Sequence, residues 1–234
     1  MTLMKKYLSH AAFALMMAAS VFSLASCGGD DDDNNNGDDP NSSTLTPAGR
    51  AAVAVDLGLP SGTRWADRNV GADKPQDAGY LFAWGETAQK NTYNWDSYKW
   101  YADEDVFTYT GSVLDPKDDA ARANWGGNWR LPTQEELEEL RYYTNYEWVV
   151  NYNNTGINGY KFTNMSDPSK FIFMPAAGYS LDTNIRYVGR VGSYWGSTLD
   201  KDSRAATLVF DDTDADSDVN YTAPYVGQSV RPVQ

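Results

Sequence analysis

The sequence predicts an α+β fold in which one domain is built from many short strands and one main helix. After residue 50, short apolar pieces alternate with Gly, Pro and Asn, and no repeat of fixed period is present. Only the segment from Thr133 to about Tyr143 carries both the start signal and the apolar spacing of a helix of several turns. Few helices with many short strands are typical of an α+β domain.

The main helix follows the stretch Trp125 to Thr133, which reads WGGNWRLPT. Its two glycines permit a backbone turn that residues with a Cβ resist, and its proline suits a position just outside a helix. Thr133 and Glu136 have the spacing of a capping box, so the helix is predicted to begin there. The buried stripe of this helix is predicted to consist of Leu137, Leu140 and either Tyr143 or Thr144.

The remaining elements are predicted from short apolar or alternating runs. We expect strands at 53–59, 63–70, 80–85, 159–163, 171–174, 191–198, 205–210 and 228–233, with the terminal strands near each other. A short helix is expected across Asp118 to Ala123, with Asp118 as its cap. Residues 91–113 are expected to form a loop rich in Tyr and Trp, and long loops of this kind are often functional.

The first residues have the features of an export signal. Lys5 and Lys6 precede an apolar run that is too short to span a bilayer comfortably. The tetrad that ends in Cys27, Leu-Ala-Ser-Cys, resembles the lipobox of bacterial lipoproteins, in which the signal is removed and the cysteine carries a lipid. We therefore expect a signal peptide at 1–26, a lipidated Cys27 with a disordered acidic linker at 27–50, and a folded domain at 51–234.

The linker is rich in Asp, Asn, Gly, Ser and Thr and cannot bury enough apolar area to order itself. Its run Asp30 to Asp33 resembles the acidic signal with which Bacteroides-type bacteria send lipoproteins to the outer face of the outer membrane. The expected location is therefore the cell surface, with the domain tethered to the outer membrane. A run that serves only as a solvating spacer is the alternative.

The distribution of histidine and cysteine excludes several kinds of site. The only histidine, His10, lies in the signal peptide, and the only cysteine is Cys27. The domain therefore lacks the groups for Ser-His-Asp or Cys-His catalysis, for His or Cys zinc sites and for disulfides. No cofactor is predicted. The net charge of −13 makes nucleic acid an unfavourable partner because both would be negative.

Carboxylates are abundant, but no pair of them stands out as a hydrolase site. Asp214, Asp216 and Asp218 form a D-x-D-x-D series that could supply oxygen ligands to calcium. An EF-hand loop would require Gly where Val219 stands and Glu where Tyr225 stands. The series is therefore interpreted as an acidic hairpin tip.

Seven blocks of the chain carry a family resemblance. They are VDLGLPSGTRWADRNVGA at 55–72, YLFAWGE at 80–86, WGGNWRLPTQEEL at 125–137, NGYKF at 158–162, FMPAAGY at 173–179, YWGST at 194–198 and GQSVRPV at 227–233. In this order they are similar to the Fibrobacter major paralogous domain, a family common in lipoproteins of Bacteroides-type bacteria. The resemblance implies a C-type-lectin-like fold of the branch shared with the sulfatase-modifying enzymes. Those enzymes work through cysteines, which this domain lacks, so it does not imply catalysis.

Packing roles follow for most of the tryptophans. The framework blocks contain Trp65, Trp84, Trp125, Trp129 and Trp195, which we assign to the core. Trp95, Trp100 and Trp148 remain as candidates for ligand contact, because aromatic faces stack on carbohydrate and on other amphipathic ligands. Arg231, in the last block, is predicted to be a structural ion-pair partner.

The predicted function is that of a non-catalytic module that binds a glycan or protein ligand through its C-terminal region. That region combines Tyr with Asp, Asn, Ser and Arg, a composition that variable binding loops favour, and in C-type-lectin-like folds it forms the exposed ligand surface. The predicted contact residues on one face are Tyr187, Arg190, Tyr194, Arg204, Asn220, Tyr221 and Tyr225. The alternatives are a polar surface without a ligand, a structural or adhesive subunit of a surface assembly, and a carboxylate-dependent hydrolase.

Overall fold

A computed structural model describes residues 44–102, 106–213 and 217–234. Three helices are present in these ranges: α1 (Pro47–Ala51), α2 (Ala120–Trp125) and α3 (Gln134–Tyr142). Short 3-10 turns lie at Trp95–Ser97, Pro116–Asp118 and Tyr152–Asn154. No helix in the described part of the chain is long and apolar enough to cross a membrane.

Short strands account for most of the regular structure. They are β1 (Ala54–Asp56), β2 (Arg64–Ala66), β3 (Leu81–Phe82), β4 (Tyr101–Ala102), β5 (Val106–Phe107), β6 (Thr144–Val149), β7 (Gly159–Asn164), β8 (Phe171–Pro175), β9 (Tyr179–Leu181), β10 (Asn184–Arg186), β11 (Val191–Leu199), β12 (Ala205–Asp211), β13 (Ser217–Thr222) and β14 (Gln228–Ser229). The predicted α+β class is confirmed, with strands predominating over few helices.

The strands form open sheets. One sheet has five strands in the order β13-β12-β11-β14-β3, and a second has three strands in the order β6-β7-β8. The pairs β1-β2, β4-β5 and β9-β10 form separate two-stranded ribbons. The end of the chain returns to its beginning as predicted, because Arg64 and Gln234 exchange both main-chain hydrogen bonds, at 2.9 and 3.0 Å.

Two hydrophobic cores lie on opposite faces of the five-stranded sheet. Side chains alternate along a strand, so the neighbours Tyr194 and Trp195 of β11 enter different cores. Helix α3 packs on one face through Leu137 and Leu140, and Thr144 rather than Tyr143 is the next buried residue. The tryptophans assigned to packing, Trp65, Trp84, Trp125, Trp129 and Trp195, are all at most 2% exposed.

The turn before α3 has the predicted conformation. Gly126 and Gly127 have φ values of 70° and 61°, and a Cβ on Gly126 would lie 2.2 Å from the carbonyl oxygen of Thr44. The predicted capping box is also present, because the Thr133 hydroxyl accepts from the N–H of Glu136 at 3.3 Å while the Glu136 carboxylate accepts from the N–H of Thr133 at 2.8 Å.

The cap of the short helix α2 is Asp119, one residue after the predicted Asp118. One oxygen of Asp119 accepts from the N–H groups of Ala121 and Arg122, and the other accepts from the N–H of Leu131 at 2.8 Å. The long-range bond explains the difference, since the side chain of Asp119 joins α2 to the stretch before α3, whereas Asp118 lies in the preceding 3-10 turn.

The folded domain begins before residue 51, so the predicted end of the disordered linker at residue 50 is wrong. The Thr46 hydroxyl accepts from the N–H of Gly49 at 3.1 Å and caps α1, while its main chain donates to the Trp125 carbonyl at 2.9 Å. The cap and the following proline start this helix inside an otherwise polar segment. Cys27, the signal peptide and the linker up to residue 43 lie outside the described residues.

Candidate functional site

The seven predicted contact residues do not form one face. Tyr187 and Arg190 lie before the start of β11, whereas Arg204 lies in the turn between β11 and β12 at the other end. A strand of nine residues separates these ends by about 26 Å at the usual rise per residue. Asn220 and Tyr221 are consecutive on β13 and therefore point to opposite faces of the sheet. The prediction of a single face is wrong.

Tyr194 is a core residue rather than a ligand contact. It is 1% exposed, and its hydroxyl donates to the Pro175 carbonyl at 2.6 Å and accepts from the Asn69 amide at 3.4 Å. Burial raises the pKa of Tyr194 to about 12, so the phenol is neutral. The strand register explains this burial, because Tyr194 lies opposite the buried Leu208 of β12.

The other predicted contact residues are wholly or partly exposed, and each interacts with a neighbour. Arg190 pairs with Asp212 at 3.1 Å, and Arg204 pairs with Asp200 at 3.0 Å. The remaining contacts are Asn220 with Asp218, Tyr221 with Gln134, Tyr225 with Trp95, and Tyr187 with Tyr179. The structure places them in separate local clusters, and their role in binding stays a prediction.

The two other predicted features do not define a site. Asp214 and Asp216 of the acidic series lie outside the described residues, and the described chain has no group of three or more side chains placed to hold a metal ion. The three candidate tryptophans are half-buried, and each packs on a tyrosine ring. The distances between ring centroids are 4.7 Å for Trp95 and Tyr225, 4.6 Å for Trp100 and Tyr109, and 5.8 Å for Trp148 and Tyr160.

A groove of about 590 Å³ lies between strands β1 and β8. Its size is that of a site for a small molecule or for a short segment of chain. We call it the β1–β8 groove. Its lining residues are Val53, Ala54, Val55, Asp56, Arg64, Asp67, Pro75, Tyr152, Ser169, Lys170, Phe171, Ile172 and Phe173.

Aromatic residues form one wall of the groove. The ring of Tyr152 stacks on that of Phe173 with 3.9 Å between centroids and 7° between planes. Phe171 lies two residues earlier on the same strand and is half-buried. Tyr152 follows Asn151, which adopts a left-handed backbone conformation with φ 55°, so a tight turn presents this ring. The wall therefore offers flat apolar surface to a ligand.

Buried Arg231 lies behind this wall. It is 1% exposed and donates to the carbonyl oxygens of Ala66 and Phe173 and to the side-chain oxygen of Asn69, at 2.8 to 3.1 Å. The predicted ion pair is wrong, because no carboxylate in the described chain lies within 4.0 Å of this guanidinium. Burial lowers the pKa of Arg231 to about 10, so it still carries its positive charge at neutral pH.

Two exposed cations, Arg64 and Lys170, lie at the rim of the groove. Neither side chain has an ion-pair partner among the described residues. The groove's own carboxylates are engaged: Asp56 accepts from the main chain of its own turn at 2.8 Å, and Asp67 pairs with Arg68 at 2.8 Å. The lining of the groove thus holds two cations and two carboxylates, on a chain of net charge −13, and its two cations are exposed.

The two strands that border the groove are edge strands. The N–H of Asp67 donates to the Val53 carbonyl, and Arg64 and Ala66 use their main-chain groups on the C-terminal segment. Because bonded and non-bonded positions alternate, the main-chain groups of Ala54 and Asp56 point away from β2. On β8 the same alternation points the main-chain N–H and C=O groups of Phe171 and Phe173 away from β7. The outer edge of β1 at Ala54 and Asp56 and that of β8 at Phe171 thus both lie among the residues that line the groove.

Comparison with protein-family models, with curated proteins and with solved structures found no match for this chain.

Sequence reasoning missed the groove. Its residues come from five separate segments of the chain, none of which has a local motif. One signal was available: Arg64 and Lys170 are cations in a strongly acidic chain and lie beside apolar residues. Their proximity depends on the packing of β1 near β8, which no local pattern indicates.

Proposed function

We propose that this protein is a surface lipoprotein whose domain is a non-catalytic binding module of the C-type-lectin-like type, and that the β1–β8 groove binds an anionic ligand. The anchoring at Cys27 and the family come from the resemblances in the sequence. The absence of histidine and thiol from the domain supports binding without catalysis.

The observation that carries the site is a set of three cations at the groove, two of them exposed. Arg64 and Lys170 lie unpaired at its rim, and Arg231 is buried behind its wall. In a protein of net charge −13, exposed cations without an ion-pair partner attract a negative group to this place in preference to the rest of the surface. The stacked ring of Tyr152 adds apolar contact area beside it.

The test compares two double variants that change the net charge equally. Arg64→Glu/Lys170→Glu reverses the rim of the groove, and Arg186→Glu/Lys201→Glu reverses two exposed cations elsewhere. Both are assayed, with the wild type, against acidic oligosaccharides and acidic peptides. Loss of binding in the first variant with retention in the second supports the groove. Equal binding by all three proteins contradicts it, and turnover of a bound substrate contradicts a purely binding role.

A structural or adhesive subunit is the second candidate, favoured by the open edges of β1 and β8, which suit contacts between chains. Cross-linking on intact cells distinguishes it, since an assembly subunit would give a stoichiometric partner.

A further inference from the structure

We propose that the ligand of the β1–β8 groove is an extended peptide segment that carries an acidic residue and adds as a strand to the outer edge of β1. This inference rests on the proposed function and specifies the class of partner. Three features carry it: the main-chain groups at the edge, the aromatic wall and the cations of the rim.

The first feature is a set of main-chain groups with the repeat of a strand. Ala54 and Asp56 direct both N–H and C=O groups into the groove, and these have no hydrogen-bond partner among the described residues. Groups that recur at every second residue match the outward groups of another extended chain. A glycan has no such repeat, so the edge favours a peptide. Addition of a strand to a sheet edge is an established mode of peptide recognition.

The second feature is the wall opposite β1. Tyr152 covers the buried Phe173 of β8, and Phe171 of the same strand is half-buried, so a segment lying along β1 has the rings of Tyr152 and Phe171 on its far side. The carbonyl of Phe173 is already bonded to Arg231, and that of Pro175 to Tyr194. The main-chain acceptors at the end of β8 are therefore already in use. The edge of β1 has more main-chain groups available to pair with an added strand.

The third feature sets the charge of the segment. Arg64 lies directly opposite Asp56 across the β1–β2 ribbon, yet no ion pair joins their side chains, and Asp56 accepts from the main chain of its own turn. Lys170 approaches the groove from the start of β8. Since side chains of a strand alternate, a segment with one acidic residue toward this rim would present its neighbours to Tyr152 and Phe171. The expected motif alternates acidic with apolar or aromatic residues over about three to five positions, the length that β1 can pair.

The experiment begins with a displayed library of random heptapeptides that is selected on the wild-type protein alone, and the selected peptides are then assayed against Arg64→Glu/Lys170→Glu. Selected peptides are synthesised with N-methyl groups at alternate main-chain positions. N-methylation at the positions whose N–H groups face β1 should weaken binding by about tenfold or more for each blocked hydrogen bond. N-methylation at the intervening positions should have little effect, because those N–H groups point away from β1. In the complex, the amide protons of Ala54 and Asp56 should exchange with solvent at least about tenfold more slowly.

The outcomes separate the two proposals. Tolerance of N-methylation at every position, or unchanged exchange at Ala54 and Asp56, overturns strand addition. If no peptide is enriched while oligogalacturonate binds the wild type and not the double variant, the partner is a glycan, and the groove remains the site. Selected peptides that bind the double variant as well as the wild type overturn both the peptide inference and the groove.

Discussion

Arg231 donates from its Nη2 to the carbonyl oxygen of Phe173 at 2.9 Å, and so joins the C-terminal segment to the outer edge of β8. The same guanidinium holds β2 through the Ala66 carbonyl and the following segment through Asn69. A buried charge is costly unless its donors are satisfied, and here neutral acceptors satisfy them in place of a carboxylate. Arg231 therefore links β2, which pairs with β1, to β8, and so helps to fix the two sides of the groove relative to each other.

Substitution of Arg231 should destabilise the domain. In Arg231→Met the acceptors on Asn69, Ala66 and Phe173 lose their donor, and we expect a loss of about 3 kcal/mol in the free energy of unfolding. Arg231→Lys keeps the charge but not the planar fork, and should cost about 2 kcal/mol. Urea unfolding measures both. Arg186→Met, at an exposed position, should change the stability by less than about 0.5 kcal/mol, and an equal effect at both sites would contradict this role.

Alanine substitutions at Gly126 and Gly156 distinguish the cost of backbone strain from the cost of a steric clash. Both have positive φ, 70° and 80°, but a Cβ on Gly126 would lie 2.2 Å from the Thr44 carbonyl oxygen, whereas a Cβ on Gly156 meets nothing within 4 Å. Gly156→Ala should therefore cost about 1 kcal/mol, and Gly126→Ala about 3 kcal/mol, because the segment that leads into α1 must also move. Thermal unfolding of the two variants gives the comparison. Similar losses would indicate that this segment does not pack on the turn.

Glu136 makes stability depend on pH. Burial acts to raise the pKa of Glu136, but hydrogen bonds from Arg130, Thr133 and Thr63 outweigh it and lower the pKa below its usual value of 4.5. A lowered folded-state pKa means that the stabilisation is present above pH 4.5 and is lost as pH falls through the folded value.

Glu136→Gln should therefore cost about 1 to 2 kcal/mol at pH 7, since it removes the ion pair with Arg130 and weakens the capping box. The difference in unfolding free energy between Glu136→Gln and the wild type should narrow as the pH falls below 4.5. Urea unfolding at several pH values measures it, with the exposed Glu135→Gln as control. A gap that stays constant down to acidic pH would contradict the assignment.

Tyr194→Phe tests the placement of that residue in the core. It removes a buried hydroxyl that donates to the Pro175 carbonyl at 2.6 Å, and should cost about 1 to 2 kcal/mol of stability. The affinity for a ligand of the groove should be unchanged once the protein is folded. Tyr221→Phe, at a half-exposed position, should cost less than about 1 kcal/mol. Loss of binding at full stability in Tyr194→Phe would restore Tyr194 as a contact residue.

Cys27→Ala tests the lipid anchor that the sequence predicts. Without a thiol to acylate, the protein should leave the membrane fraction, because no other lipid attachment site is predicted. Ser26→Ala keeps a small residue before the cysteine and serves as the control, which should remain in the membrane fraction. Immunoblots of fractionated cells measure both, and retention of Cys27→Ala would argue against lipidation. Protease treatment of intact cells then tests exposure, since a domain on the surface is removed.

Local patterns in the sequence were enough to predict the α+β class, the start of α3 and the buried tryptophans. The capping box at Thr133 and Glu136 involves groups only three residues apart, so neighbouring residues decide its geometry. A large apolar ring such as Trp84 or Trp195 is also buried wherever the chain runs, because its transfer from water is favourable in any compact fold.

Contacts between distant residues decided what those patterns left open. Strand β13 carries Asp, Asn and Tyr and became a strand because it pairs with β12, while the same pairing separated the residues predicted to share a binding face. Tyr194 shows the limit most clearly. Its type suggests a contact residue, but its register opposite Leu208 buries it, and register is a property of two strands together. The β1–β8 groove depends likewise on tertiary structure. Arg64 and Lys170 are far apart in the chain and line the same groove only because β1 and β8 lie near each other in the fold.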